Sequence, residues 1–503
     1  MYSEALMKKL FNTQWGEVIA LFSGLLFTLS FAPFDLSLLI FIALVVFRLL
    51  LFNISPKRAL LRGFLFGLGI FGLGVSWVFV SMVVNTNSSY ALPALITLLY
   101  CSFWAIFPAI FAYLFVKVAQ HHPEENHSLL FASVWVLIEY LRGEWVLNGF
   151  PWLQVAYSQL DSPYAGYIPI MGSYGAAFVV LLLCGLLAEV FIQRSALTLV
   201  FVMLPLLTQV GQELKRIDWA DVRGELIKVT LLQGNIAQKD KWADENRDNT
   251  LRYYRDETAK HWESDVIIWP ETAIPAYYNE VKDVYLAPLE KQAVQHQTDI
   301  ITSLPYKDAA GQLYNSVIVL GQERGMYQKI HLLPFGEYLP WQPISGYLLD
   351  LMQVRLGSFT AGAIDQPLLK VAGHAFVTSI CYEDAFGAQS IRDIEQARFL
   401  VNVTNDGWFD GSIEPHQHLQ IARMRALESA RYLLRTTNTG ITAVVSDKGK
   451  VVQQAPLQQA YALTTDIPPI SGLTPYARIG DKPIMLFILL LFLGLVGKAR
   501  YFS

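Results

Sequence analysis

Cys381 is the only cysteine beyond residue 213. It ends an apolar run, Ala375-Phe376-Val377-Thr378-Ser379-Ile380, and Tyr382-Glu383-Asp384 follows. A strand that carries a lone thiol to a polar edge presents a nucleophile, because even a small thiolate fraction attacks a carbonyl carbon well. Two other apolar, strand-like stretches adjoin groups that complement a thiol: Trp269-Pro270-Glu271 and Gln328-Lys329-Ile330. The Glu271 carboxylate can take the thiol proton if burial lifts its pKa above the ordinary ~4.3. The Lys329 ammonium can stabilise a thiolate and then the oxyanion of a tetrahedral intermediate, with the Tyr382 N–H as a second donor. Taken singly, each has a plainer reading: a buried thiol, a surface carboxylate, a solvated lysine.

These groups need a scaffold, and composition divides it in two. The 503 residues are 53% hydrophobic and 16% charged, against about 25% charged in soluble chains. The deficit lies in residues 1–213, while 214–480 reads as a soluble domain. The formal charge of -4 argues against nucleic acid, whose phosphates need a basic face. Cys101 and Cys184 fall in apolar spans and read as core thiols.

A bilayer-spanning helix needs about 20 apolar residues. That criterion suggests about eight transmembrane helices, at 17–33, 37–53, 62–83, 93–117, 128–146, 166–192, 196–212 and 483–497. The division is then a membrane domain over 1–213, a catalytic domain over 214–480 and a last membrane helix in 481–503. Lys8, Lys9, Lys57, Arg58, Arg62, Lys117, Arg194, Lys498 and Arg500 fall on one side of this scheme. The positive-inside rule makes that side cytoplasmic and puts the large domain outside, with Arg142 breaking the pattern. Glu139 and Arg142, three apart on one helix face, suggest a buried ion pair or the lining of a head-group cavity. Trp145, Trp152, Tyr157, Tyr164 and Tyr167 suit the membrane interface.

The soluble half alternates short β-rich runs with helical ones. Strands are expected at 227–232, 266–269, 300–303, 316–320, 376–380, 399–403 and 441–445, with helices over 243–262 and 416–434. Such alternation implies α/β layers.

The contexts of the three groups resemble the nitrilase superfamily. The matching pieces are Trp269-Pro270-Glu271-Thr272, the run from Tyr327 to Glu337, and Ile380-Cys381-Tyr382-Glu383. Gln233-Gly234-Asn235 and the run from Asn402 to Phe409 fit as well, although Ala237 stands where a proline is expected. The resemblance implies an α-β-β-α sandwich and a Glu-Lys-Cys triad that forms an acyl-enzyme. Joined to a multi-span bundle, and with Asn148-Gly149-Phe150-Pro151-Trp152 and Pro334-Phe335-Gly336-Glu337-Tyr338, it is similar to the apolipoprotein N-acyltransferase family within that superfamily. By that resemblance Glu271, Lys329 and Cys381 are catalytic, and Glu337, Tyr382, Glu383 and Trp242 support them. It implies a phospholipid acyl donor, a diacylglyceryl-modified apolipoprotein acceptor, no cofactor or metal, and a place in the bacterial inner membrane with the catalytic domain periplasmic. A membrane-tethered amidase that passes the acyl group to water would use the same triad. The apolar residues Leu348, Leu349, Leu351 and Met352 suggest either a lipid-facing lid or core packing.

Overall fold

The computed structural model describes residues 15–85, 90–123, 126–193, 196–241, 244–340, 346 and 358–502. Trp242 and the expected lid residues Leu348, Leu349, Leu351 and Met352 lie outside the described residues. The chain forms two compact units. One is Met1–Phe79, Ser89–Ile217 and Ile479–Ser503, and the other is Val80–Ser88 with Asp218–Arg478.

The first unit is helical. Its helices are α1 (Trp15–Thr28), α2 (Leu39–Leu50), α3 (Pro56–Gly74), α4 (Trp77–Asn85, which crosses the boundary between the units), α5 (Ala91–Ala119), α6 (His127–Glu144), α7 (Ile168–Ile192) and α8 (Ala196–Leu214). A C-terminal helix, Lys482–Phe502, completes it. Among the described residues three helices are long and apolar enough to cross a membrane, and four if the bent pair α3–α4 is one span. The sequence suggested about eight. Part of the difference is geometric in the described residues. At about 1.5 Å rise per residue, α1 and α2 reach only about 21 and 18 Å, short of a ~30 Å hydrocarbon core. The expected span 62–83 is broken by a bend of 51° between α3 and α4.

Small residues bring α1 and α3 together. A Cβ on Gly24 would sit 2.0 Å from the Phe66 carbonyl oxygen, and one on Gly69 2.2 Å from that of Leu21, the close backbone approach that glycine permits between apolar helices. Buried charge is paired: Arg48 on α2 meets Glu189 on α7, and Arg62 on α3 meets Glu17 on α1. Glu139 accepts from Trp135 and from the Val155 N–H, and Arg142 donates to the Phe150 carbonyl. Both line one cavity of about 30 Å³, which holds about one water. Of the five aromatics expected at the interface, only Trp145 is exposed. Trp152, Tyr157, Tyr164 and Tyr167 are buried, two of them held by hydroxyl bonds to Thr208 and Leu207.

In the second unit, β1 (Asp221–Val222) pairs with β14 (Ile470–Ser471). The rest is two six-stranded sheets. The first has the order β13-β2-β3-β4-β5-β6 and the second β12-β11-β10-β9-β8-β7. In chain order these are β2 (Ile227–Gln233), β3 (Val266–Ile268), β4 (Asp299–Lys307), β5 (Leu313–Leu320), β6 (Gly325–Gln328), β7 (Leu369–Val371), β8 (His374–Ile380), β9 (Phe399–Thr404), β10 (Leu433–Thr437), β11 (Ala443–Val445), β12 (Val451–Gln454) and β13 (Tyr461–Ile467). The period of two decides the layers. Val229, Leu231, Val266 and Ile268 meet Phe376, Ile380, Val401 and Val403 between the sheets. The alternate residues Leu232, Ile267 and Ile300 face outward with Leu251 and Tyr254 of α9 (Asp244–Thr258) and Leu289 and Ala293 of α10 (Ala287–His296). Leu400 and Leu433 face outward with Leu419, Ala422 and Ala426 of α11 (Glu414–Ser429). The result is an α-β-β-α sandwich.

The expected helix over 416–434 is corrected by this register. It stops at Ser429, Ala430 turns left-handed with φ 49°, and Leu433–Thr437 is a strand. Pairing with β9 and β11 outweighs the local helical pattern.

Candidate active site

The central strands β2-β3-β4 and β8-β9-β10 run parallel within their sheets. Side chains just beyond their C-terminal ends gather there, as is usual for open α/β layers. Glu271 lies three residues past β3 and Cys381 directly past β8, while Lys329 directly follows the edge strand β6. The first and third belong to one sheet and the thiol to the other.

Each is held by identifiable bonds. The Glu271 turn is pinned when the Trp269 N–H donates to the Ile301 carbonyl at 2.8 Å and the Thr272 N–H to Ser303 Oγ at 3.1 Å. The Lys329 N–H donates to the Asn315 carbonyl at 2.8 Å. Cys381 sits at φ 51°, a left-handed conformation that costs a side-chain-bearing residue about 1 kcal/mol or more and must be held by its surroundings.

The two glutamates near Lys329 differ in what they receive. Glu337 Oε2 accepts from Lys329 Nζ at 2.8 Å and from the Leu333 N–H at 2.8 Å, and Oε1 accepts from Asn315 Nδ2 at 3.0 Å. The Glu271 carboxylate accepts one hydrogen bond among the described residues, from the same Asn315 Nδ2 at 2.8 Å. A saturated carboxylate orients its partners, and an under-satisfied one is free to take a proton.

The electrostatics agree. Burial raises the Glu271 pKa, Lys329 opposes the rise, and Glu337 adds to it. Burial also lifts the Cys381 thiol well above its usual value, with Glu271 adding and Lys329 opposing. Burial works against the Lys329 ammonium, but Glu337, Cys381 and Glu271 outweigh it and hold the lysine charged. The resting site is therefore a protonated thiol beside a carboxylate of raised basicity and a fixed cation.

Glu383 is fully buried. Its Oε1 accepts from the N–H groups of Ile330 at 2.7 Å and His331 at 3.0 Å, and its Oε2 from that of Ile380 at 2.8 Å. The Tyr327 hydroxyl donates to it as well. Glu383 thus ties the Lys329 strand end to the Cys381 strand end. Tyr382 is buried with its ring edge-on to Phe386. His331 stacks on Phe386 and faces Gln389.

Sequence reasoning missed several neighbours. Lys241 is buried and donates to the Glu271 carbonyl at 3.0 Å, and burial, opposed by Glu271, depresses its pKa to about 8. Asn315 bridges both glutamates. On the α11 side of Cys381, Asp384, Asp406, Glu414, His418 and Arg435 form a buried ion cluster. Asp406, Glu414 and His418 offer donors within 4.8 Å of one another, a spacing that would suit a metal. Yet Arg435 already pairs with Asp406 at 3.0 Å, and each imidazole nitrogen already faces a carboxylate. Asp384 and Asp406 lie beside or within the sequence motifs, but Glu414, His418 and Arg435 carried no local signal, and nothing in the sequence showed that the five meet.

Comparison with known proteins follows the same division. Residues 23–186 match the family model described as apolipoprotein N-acyltransferase N-terminal domain, and residues 228–471 match the one described as carbon-nitrogen hydrolase. The chain is 44% identical over 472 residues to an apolipoprotein N-acyltransferase of Methylococcus capsulatus, covering 93% of both chains. It is 38% identical to that of Coxiella burnetii, over 95% of this chain and 100% of the relative. Among solved structures, yeast Nit3, described as a member of branch 10 of the nitrilase superfamily, aligns with a TM-score of 0.39 and 16% identity, over 50% of this chain and 92% of its own.

Proposed function

The chain belongs to the apolipoprotein N-acyltransferase family, and we propose that it works as an acyltransferase through Cys381, Lys329 and Glu271. The reaction moves an acyl chain from a phospholipid to the N-terminal amine of a diacylglyceryl-cysteine on an apolipoprotein. Cys381 Sγ attacks the ester carbonyl while Glu271 accepts the thiol proton. Lys329, assisted by the Tyr382 N–H, balances the tetrahedral oxyanion. The C–O bond breaks, Glu271 returns the proton to the leaving alkoxide, and lysophospholipid departs from a thioester. The acceptor amine then attacks the thioester and gives its proton to Glu271. The C–S bond breaks, the thiol is reprotonated and an amide remains. Glu337 orients Lys329, Glu383 fixes the two strand ends, and Trp242 is placed among the supporting residues on the family pattern alone.

The observation that supports this reading best is the unequal treatment of the two glutamates: Glu337 is saturated by three donors and Glu271 is left with one. Both substrates are lipid-anchored, so we place the enzyme in the bacterial inner membrane. There 1–213 and 481–503 form the multi-pass anchor, extended toward eight spans by the shorter apolar helices, and 214–480 is the periplasmic catalytic domain.

The test is intact-mass analysis of purified enzyme mixed with a defined phospholipid. Wild type should gain one acyl mass at Cys381 and lose it when a diacylglyceryl peptide with a free amine is added, giving the N-acyl peptide. Cys381→Ser should form no thioester. Release of free fatty acid in place of the N-acyl peptide would convert the reading to a hydrolase.

A further inference from the structure

Four elements meet around the main chain of Cys381, and their charges are matched. His418, on α11, has Nε2 3.0 Å from Asp384 Oδ1 and 3.3 Å from the Cys381 carbonyl oxygen. Its Nδ1 lies 3.0 Å from Asp406 Oδ1 and 3.4 Å from Glu414 Oε1. Oxygen acceptors on both sides require a proton on both nitrogens, so the ring is an imidazolium. Burial and Arg435 oppose that charge, Asp384 and Asp406 outweigh them, and the imidazole pKa is pushed up to about 10. Burial and Asp406 raise Glu414 to about 8, leaving it neutral. Arg435 on β10 donates to Asp384 Oδ2 at 3.2 Å and Asp406 Oδ2 at 3.0 Å. Two aspartates thus face two cations.

The cluster is joined to the nucleophile by two routes. Arg435 Nη1 donates to Asn402 Oδ1 at 2.7 Å, which turns Asn402 Nδ2 toward the Cys381 carbonyl at 3.3 Å. That carbonyl, on a left-handed residue, is therefore held from two directions, by His418 and by Asn402. Thr404 supplies the second route: its hydroxyl donates to Asp406 Oδ1 at 3.3 Å, and its side chain works to lower the thiol pKa.

We propose that His418 is a positioning residue for the thiol chemistry: as the buried counter-charge of Asp384 and Asp406 it clamps the Cys381 carbonyl and so aims the sulfur. It offsets Asp406, an anion that would otherwise help to hold the proton on sulfur. The inference rests on Cys381 being the nucleophile, not on which acceptor receives the acyl group.

The test uses the full chain in detergent micelles and follows iodoacetamide alkylation of Cys381 against pH, located by peptide mass, beside steady-state transfer kinetics. In His418→Gln the alkylation midpoint should rise by roughly one pH unit, since a compensating charge is lost. The kcat should fall about tenfold or more, with KM within about threefold. Adding Asp406→Asn should bring the midpoint back toward wild type, because the uncompensated anion is removed with its partner. A His418→Gln enzyme with lower melting temperature but unchanged midpoint and kcat would overturn the proposal, as would a double variant no closer to wild type than the single one. If His418→Gln does not fold, Asn402→Ala removes the other half of the clamp without deleting a charge. A loss of kcat at constant KM is expected, and an unchanged kcat would overturn the clamp. Alkylation reads the sulfur without acyl transfer, so failure here is distinct from failure of the acyl-enzyme reading.

Discussion

The pocket around Cys381 Sγ and the ion cluster behind its main chain both bury several titratable groups, but they treat them in opposite ways. In the cluster, Asp384 and Asp406 each contact both His418 and Arg435. In the pocket, Glu271 contacts no cation within salt-bridge range through its carboxylate among the described residues and accepts only from Asn315. A matched cluster has nothing to gain by moving a proton. An under-satisfied carboxylate next to a protonated thiol does. Rigidity and reactivity are thus assigned to different sides of one residue, the main chain and the sulfur of Cys381.

The largest break in that contrast is Glu271→Gln, which keeps the shape and removes the base. Acylation should fall by about 10²–10⁴-fold while the melting temperature holds. A large drop in melting temperature would mean that Glu271 is structural. The reverse is expected of Glu383→Gln. It places an amide among donors that need an acceptor, at about 2–4 kcal/mol. In a domain of this size that is a fall of roughly 4–16 °C by thermal unfolding, and an unmoved melting temperature would count against the tie between strand ends.

Two smaller effects concern pH. The Glu271 pKa is raised, so the acid limb of the acylation rate should lie above the ordinary carboxylate range of about 4.3. A rate already flat at that pH would remove Glu271 as base. His418 is raised from 6.5 to about 10. A cation favoured in the folded state contributes stability that is fully present below 6.5 and is lost as pH rises through about 10. Wild-type stability should therefore decline over that window, and His418→Gln should flatten this part of the decline.

How far these regions were legible in the chain follows the same division. Glu271, Lys329, Cys381 and Glu337 stand in short contiguous motifs; the alternation of strand-like and helical runs announced α/β layers, and the sandwich itself followed from the family resemblance. The cluster was invisible because Asp384, Asp406, His418 and Arg435 come from four elements whose meeting depends on sheet order. The end of α11 at Ser429 was missed because Ala430, neither glycine nor proline, makes the left-handed turn. In the apolar half, hydropathy located helices but not their lengths, since it does not register a bend such as that between α3 and α4.

Acid and amine ride on one sheet and sulfur on the other, with Glu383 bolting the two across the interior. On the proposed mechanism, catalytic geometry is a matter of how the two layers are registered. A substitution deep in the shared core, far from any reacting atom, that lets one layer slip by an ångström would silence the enzyme while leaving each layer intact.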